Sequence, residues 1–405
     1  MQSAVELNGF RCAAVLSLLP MMRYDVIVVG AGPAGSYAAY LLAKRGASVA
    51  VLDRAAFPRE KPCGGALSRK ALELLEFDLA PVTHGRVAGA WLAFEGRALY
   101  RDGGGTVAAM TVRTELDAFL LERAVAAGAE FRPGAAFCAI EAGAKDLTVR
   151  TAHGDLRTRY LFAADGVAST VRARVFGRDV VDYAPAIEAL VYAPREVLDR
   201  FADRVLLEVG AVPRGYGWIF GKRDHLNAGV YSPFGGRGIR AHLAAFLARH
   251  PALAHRGEIR YLGYPIPVRN RAGAFERGPV WLLGDAAGLA EAVLGEGIYF
   301  ALQSASLAAA AFLDADGTPT EGEYTARLRR KALPELAAAE RLARACYGHP
   351  RFAFERIARS PYASGLFLGL VTGEVGYREC LVKAIATMPR WLAAPRLSVT
   401  ARAAV

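Results

Sequence analysis

The chain has 405 residues, 53% of them hydrophobic and 22% charged, proportions that exclude a disordered chain. At this length it buries a large core without needing disulfide or metal staples. Lysine and arginine number 50 against 39 acids, a net +11, but 43 of the 50 are arginine in an alanine-rich chain; that is the composition of a GC-rich genome and does not point to nucleic acid.

Residues 1–22 read as an N-terminal extension. Its apolar stretch, Cys12 to Leu19, is too short to span a membrane, and Met21-Met22 is an alternative start directly ahead of the first strand. Tyr24 to Val29 reads as a buried parallel strand, 34–45 as a helix ending before Gly46, and Ser48 to Leu52 as a second strand, together one βαβ unit. A Pro/Gly-rich loop, Phe57 to Gly65, leads to a helix from Ser68, its expected N-cap, to about Glu76. Residues 87–112 alternate as antiparallel strands, and 114–127 form a helix closed by Gly128. Tyr160 to Ala164 is a further strand. From 183 to 269 the pattern is strand-rich, with one helix near 238–249, and a buried strand returns at Pro279 to Leu283. A long apolar helix covers about 296–313, and the tail is helical and basic.

The fold class is therefore α/β with an α+β insert. A Rossmann-like nucleotide-binding domain comprises 23–182 with 270–319, an antiparallel-sheet substrate domain 183–269, and a C-terminal helical region 320–405. The five cysteines, Cys12, Cys63, Cys138, Cys346 and Cys380, are odd in number and form no CxxC pair. They imply neither a disulfide framework nor a metal site, and a cytoplasmic location.

Gly30-Ala31-Gly32-Pro33-Ala34-Gly35 is a GxGxxG that follows a strand and opens a helix, with Asp53 ending the next strand. This is the dinucleotide fingerprint: glycines let the backbone approach a pyrophosphate, the helix N-terminus stabilises its charge, and Asp53, beside Arg54, accepts from a ribose hydroxyl. Gly284-Asp285 follows a late strand and precedes Gly295-Glu296-Gly297-Ile298, which opens a second helix. An extended flavin needs such a second anchor. Asp285 suits ribityl hydroxyls, and the Gly297 and Ile298 amides suit the pyrimidine edge of the ring. Arg113 with Asp117, and Asp165-Gly166 with Ser169 and Arg172, complete the pattern.

These pieces, in this order, resemble the flavoprotein hydroxylase fold, that of p-hydroxybenzoate hydroxylase, over residues 24 to about 315. One dinucleotide site is implied, holding FAD, with NAD(P)H visiting transiently. Lys61-Pro62-Cys63-Gly64-Gly65-Ala66-Leu67-Ser68 resembles the KPCGG segment of the geranylgeranyl reductase family, and Pro213 to Phe220 its PxxYxWxFP substrate motif. Gly221 and Ala292 stand where that family usually has proline, and Asp53 where many relatives have glutamate. Tyr216, Trp218 and Phe220 alternate, so they share one strand face suited to a flat, unsaturated chain.

The resemblance implies an FAD-dependent reductase of isoprenoid carbon–carbon double bonds. An isolated alkene resists direct hydride attack, so protonation to a tertiary cation comes first, with Tyr216 and Trp218 facing the cation. Cys63, in a loop beside Gly64, is the candidate for positioning or proton delivery. Two rivals remain: an aromatic monooxygenase or halogenase on the same fold, and a non-catalytic prenyl-lipid-binding flavoprotein. The chain is read as a monomer. Residues 321–405 carry 14 basic and 7 acidic residues, 14 − 7 = +7. With apolar segments such as Leu366 to Val371 among them, they imply peripheral contact with the inner membrane face.

Overall fold

The computed structural model describes residues 22–253 and 258–393. The apolar stretch and the alternative start at Met21 lie outside the described residues.

The nucleotide-binding half is an eight-stranded sheet. Its central strands, Arg23–Val29, Val49–Asp53, Gly154–Ala163, Val280–Leu282 and Glu130–Pro133, are parallel; Leu147–Thr151 and Phe137–Ala142 pair antiparallel at one side. The first strand runs between Gly154–Ala163 and Val49–Asp53, so its C-terminal end sits where the strand order reverses, the usual place for a ligand crevice. Helices Pro33–Ala43 and Gly297–Leu313 pack on each other, and both are rich in buried small residues, Ala34, Ala38 and Ala39 on one and Ala301, Ala305 and Ala308 on the other. Short side chains allow the close approach that brings both helix N-termini to one cleft.

The second half is a seven-stranded sheet ordered 259–270, 181–192, 225–231, 216–221, 204–209, 89–94, 97–102. The strands expected near 87–112 thus reach well beyond the 183–269 insert to join its sheet, through the parallel pairing of Arg204–Val209 with Gly89–Phe94. Another short strand from that region, Ala108–Met110, pairs with Ala66–Ser68 and Gly85–Val87 in a separate three-stranded sheet that fastens the loop after Cys63.

Five helices follow: Glu323–Lys331, Leu333–Gly348, Pro350–Arg359, Pro361–Thr372 and Tyr377–Ala393. Among the described residues no helix is long and apolar enough to cross a membrane. Leu366 and Phe367 are partly buried against the core, and Leu370 and Val371 line the cleft, so the segment read as membrane-facing turns part of its surface inward. An apolar run packs inward as readily as outward. On the last helix Val382 and Ile385 are 59% and 60% exposed, with Met388 one turn further along the same face.

Candidate active site

One cleft of about 760 Å³ runs between the two sheets. At one end lies the glycine loop. Gly30 has φ +101°, and a Cβ there would collide with the Ala164 carbonyl; a Cβ on Gly35 would collide with the Gly30 carbonyl. Gly32 differs. A Cβ there meets only the guanidinium ends of Arg59 at 3.5 Å and Arg113 at 3.7 Å, so the protein itself leaves this position open.

Arg113 is buried and forked onto Asp117, both nitrogens donating at 2.6 Å. Arg59 adds a second contact to Asp117 at 3.2 Å. Two guanidiniums thus share one carboxylate and converge beside Gly32, leaving surplus positive charge for an anion. Asp53 is buried, and its two oxygens accept the amides of Ala31 at 2.8 Å and Ala55 at 2.9 Å. Its carboxylate therefore fixes the glycine loop, a role beyond the ribose contact expected of it, while Arg54 is exposed at the cleft rim.

The middle is set by Asp165 and Asp285. Asp165 Oδ2 accepts the amides of Thr170 and Val171, while Oδ1 is buried without a partner among the described residues. Burial raises this carboxyl's pKa. Gly166 beside it has φ +78°, the left-handed turn that glycine permits. Arg172 donates to the Ala286 and Val167 carbonyls, clamping the Asp165 turn to the Gly284–Ala287 turn. Burial pushes the Asp285 carboxyl up, but Lys61 at 2.9 Å, with Arg113 and Arg172 nearby, outweighs burial and holds it below its ordinary value. Gly297 and Ile298 open the second helix beside Asp285, and Gly295, at φ +71°, packs on Ile266 and Tyr231.

At Ala292, where the resemblance implied a proline, other groups hold the approach to this helix. Buried Glu291 accepts the amides of Val293 at 2.5 Å, Leu294 at 2.7 Å and Glu296 at 2.9 Å. Tyr216 donates to the Leu294 carbonyl at 2.6 Å, Tyr347 to that of Val293 and Tyr231 to that of Ala292. Ser68 stands at the start of its helix but makes no side-chain cap; its hydroxyl donates to Glu296 across the cleft.

The far end is aromatic. Tyr216, Trp218 and Phe220 line one face, with centroid spacings of 6.0 and 6.1 Å. Trp218 Nε1 donates to Asn227 at 2.7 Å, and its indole lies over Gly229, where any Cβ would strike the ring. Phe220 packs on Gly64. Gly221 is buried, paired with Leu226, and a side chain there would collide with the Phe201 carbonyl. Cys63 lines the cleft, and its Sγ accepts the Gly65 amide at 3.4 Å. An apolar limb continues past Val87, Val107, Met110 and Val205 to Leu370 and Val371.

The sequence pattern had brought these site residues to one cleft but had not assigned Arg59, Glu188, Lys222, Asn227 or Glu291. Glu188 carried a signal, a charge inside the apolar run Ala186 to Val191; Lys222 and Asn227 carried none.

Residues 23–178 match the sequence model of an FAD binding domain. The geranylgeranyl diphosphate reductase of Oryza sativa chloroplasts is 34% identical over 344 residues, 79% of this chain and 73% of that protein. The chain belongs to the geranylgeranyl reductase family of FAD-dependent oxidoreductases. A menaquinone reductase of Mycolicibacterium smegmatis is 30% identical over 79% of this chain and 84% of its own. The crystal structure of a geranylgeranyl bacteriochlorophyll reductase-like protein from Thermoplasma acidophilum superposes with a TM-score of 0.71, covering 92% of this chain and 98% of that one at 22% identity. A halogenase solved with FAD shares the fold at 18% identity and a TM-score of 0.67 over 91% of this chain and 85% of its own.

The family's FAD fits these residues. The opening at Gly32 between two guanidiniums suits a pyrophosphate, two helix N-termini face the cleft, and the unpartnered Asp165 Oδ1 awaits a donor.

Proposed function

We propose that the protein saturates carbon–carbon double bonds of a prenyl chain such as geranylgeranyl, with NAD(P)H as the reductant that visits between turnovers. The observation that carries this reading is the continuity of the cofactor cradle with an aromatic and then aliphatic limb, Trp218 and Phe220 leading to Val205 and Val371. Such a limb favours an extended apolar chain by desolvation. The names of the relatives agree with it.

Bound FAD supplies the hydride. The protein's part begins with Arg59 and Arg113, which hold the pyrophosphate, and Asp53, which keeps the glycine loop in place. Lys61 and Asp285 would bind around the ribityl chain, and the Glu291-supported loop would present the Gly297 and Ile298 amides to the ring. Tyr216 and Trp218 flank the alkene and offer ring faces to positive charge developing on a tertiary carbon. Cys63, which lines the cleft, would position the chain from its loop. Val382 and Ile385, with the basic surplus of the C-terminal region, dock the enzyme on anionic lipid where such chains reside.

Anaerobic reoxidation tests the reading. Photoreduced enzyme regains its yellow absorbance on addition of geranylgeranyl diphosphate or a menaquinone-type lipid, and Cys63→Ala retains FAD with slower return. Flavin that stays bleached with every prenyl compound, yet hydroxylates or halogenates an aromatic in air, overturns it.

A further inference from the structure

We propose that Glu188 is the acid that protonates the alkene. The inference rests on the reading of the cleft as a prenyl reductase site and adds the missing half of its chemistry.

Saturating a double bond requires a hydride and a proton. Glu188 lines the cleft and is only 5% exposed, on the strand Val181–Tyr192 and on the same face as Trp218. Register places both opposite Gly229, on the two strands flanking it, so the carboxyl and the indole are neighbours across a position with no side chain. Glu188 Oε1 accepts the Cys63 amide at 2.9 Å, and Asn227, which also receives Trp218 Nε1, hydrogen-bonds the carboxyl. The acid is thereby tied to the CGG loop on one side and to the aromatic wall on the other. Cys63 meets this carboxyl through its backbone amide, while its Sγ accepts the Gly65 amide.

The charged and titratable surroundings are specific. Lys222, buried at the end of Tyr216–Gly221, donates to the Gly64 carbonyl at 2.7 Å and the Gly65 carbonyl at 3.1 Å, and acts on Glu188 through its charge. Arg113 acts from the helix beyond the loop. His225 neighbours Lys222, and on the adjoining strand Arg260 is paired with Glu60 while Tyr264 lies under Lys61. Burial raises the Glu188 carboxyl; Asn227, the Cys63 amide, Lys222 and Arg113 pull it back only in part. Burial likewise lowers Lys222 to about 7. A buried carboxyl whose proton is held more tightly than that of an exposed glutamate is suited to general acid catalysis.

The step balances. The Glu188 O–H bond breaks and a C–H bond forms at the less substituted carbon, the π pair supplying its electrons. The tertiary carbon left positive accepts the hydride of a reduced flavin, which carries both reducing electrons. Glu188 remains as carboxylate and regains its proton from water in the cleft. Lys222 is a positioning residue: it holds the Gly64–Gly65 backbone against Glu188 and sets how readily the proton leaves.

The test uses FAD-loaded enzyme. Glu188→Gln should retain FAD and bind prenyl substrate but reduce it at least about 100-fold more slowly, the range for loss of a general acid; Glu188→Asp should recover part of the rate. The wild-type rate should fall as pH rises through the Glu188 pKa, and Lys222→Met, by removing a cation that favours the carboxylate, should move that limb to higher pH. Infrared titration should show a protonated carboxyl band that persists to higher pH than that of an exposed glutamate, that Glu188→Gln removes and that Lys222→Met carries to higher pH. A Glu188→Gln enzyme with wild-type rate and pH profile, or the absence of that band, overturns the proposal alone. A wild-type enzyme that reduces no prenyl compound removes the reading of function and this step with it.

Discussion

The two ends of the cleft are built on different principles. The phosphate end is made of backbone: Gly30 and Gly35 are dictated by carbonyls that a Cβ would strike, and Asp53 spends its oxygens on the amides of Ala31 and Ala55. The chemical end is made of side chains from separate strands, Glu188, Trp218, Lys222 and Asn227, meeting around Gly229 and the Cys63 loop. A glycine closed in by backbone, as at Gly30 and Gly35, cannot vary without losing the fold, whereas a site made of side chains can change its chemistry on an unchanged sheet. That difference explains how one architecture also serves halogenases.

The largest effect that would sharpen this contrast is at Gly35. Gly35→Val should yield no folded, FAD-loaded protein, because its Cβ would overlap the Gly30 carbonyl. Gly32→Val should fold with a wild-type Tm in the absence of FAD, since only arginine ends lie nearby, yet lose FAD affinity at least tenfold. Equal loss of apo stability in both variants would break the distinction between a glycine needed by the protein and one needed by its ligand.

At the other end, Trp218→Ala should keep FAD but lower kcat/KM for a prenyl substrate by about tenfold or more, measured by steady-state kinetics. Loss of flavin in this variant would show that the aromatic wall also supports the cradle.

A smaller effect concerns Glu291, which sits between the ends. Burial, aided by Glu296, raises its carboxyl to about 7 even though backbone amides favour the ionised form. Its folded pKa lies above the unfolded one, so the stability it contributes is full below the unfolded value and is lost as pH rises through about 7. Melting curves of the wild type should therefore show a downward component between pH 5 and 8 that Glu291→Gln flattens. An unchanged slope would place the titration elsewhere.

The smallest effect is at the surface. Replacing Val382 and Ile385 by serine should leave turnover of a detergent-solubilised substrate intact and reduce co-sedimentation with anionic liposomes at low salt several-fold. Equal binding before and after would assign that helix face no role at lipid.

The same contrast governs what could be read from the chain. The glycine fingerprint, Asp165-Gly166 and Gly284-Asp285 were legible because their constraints are local: each needs a turn directly after a strand. Tyr216, Trp218 and Phe220 were legible through strand alternation. Glu188, Lys222 and Asn227 were not, because their meaning depends on three strands lying side by side. Glu291 went unread for a different reason: its three hydrogen bonds fall within five residues, but only a particular loop conformation reveals them. How Leu366 to Val371 packs was not legible, because hydropathy gives a segment's need for burial and not the direction in which it is satisfied.

The account's central claim is that the flavin end and the prenyl end act on one substrate. Mass spectrometry of the product after anaerobic incubation of the reduced enzyme with a panel of prenyl compounds tests it most directly. The account predicts a gain of two hydrogens for each double bond reduced, stoichiometric with flavin oxidised. Flavin oxidised only in air, with unaltered prenyl chains and an oxygenated or halogenated aromatic product, would contradict it.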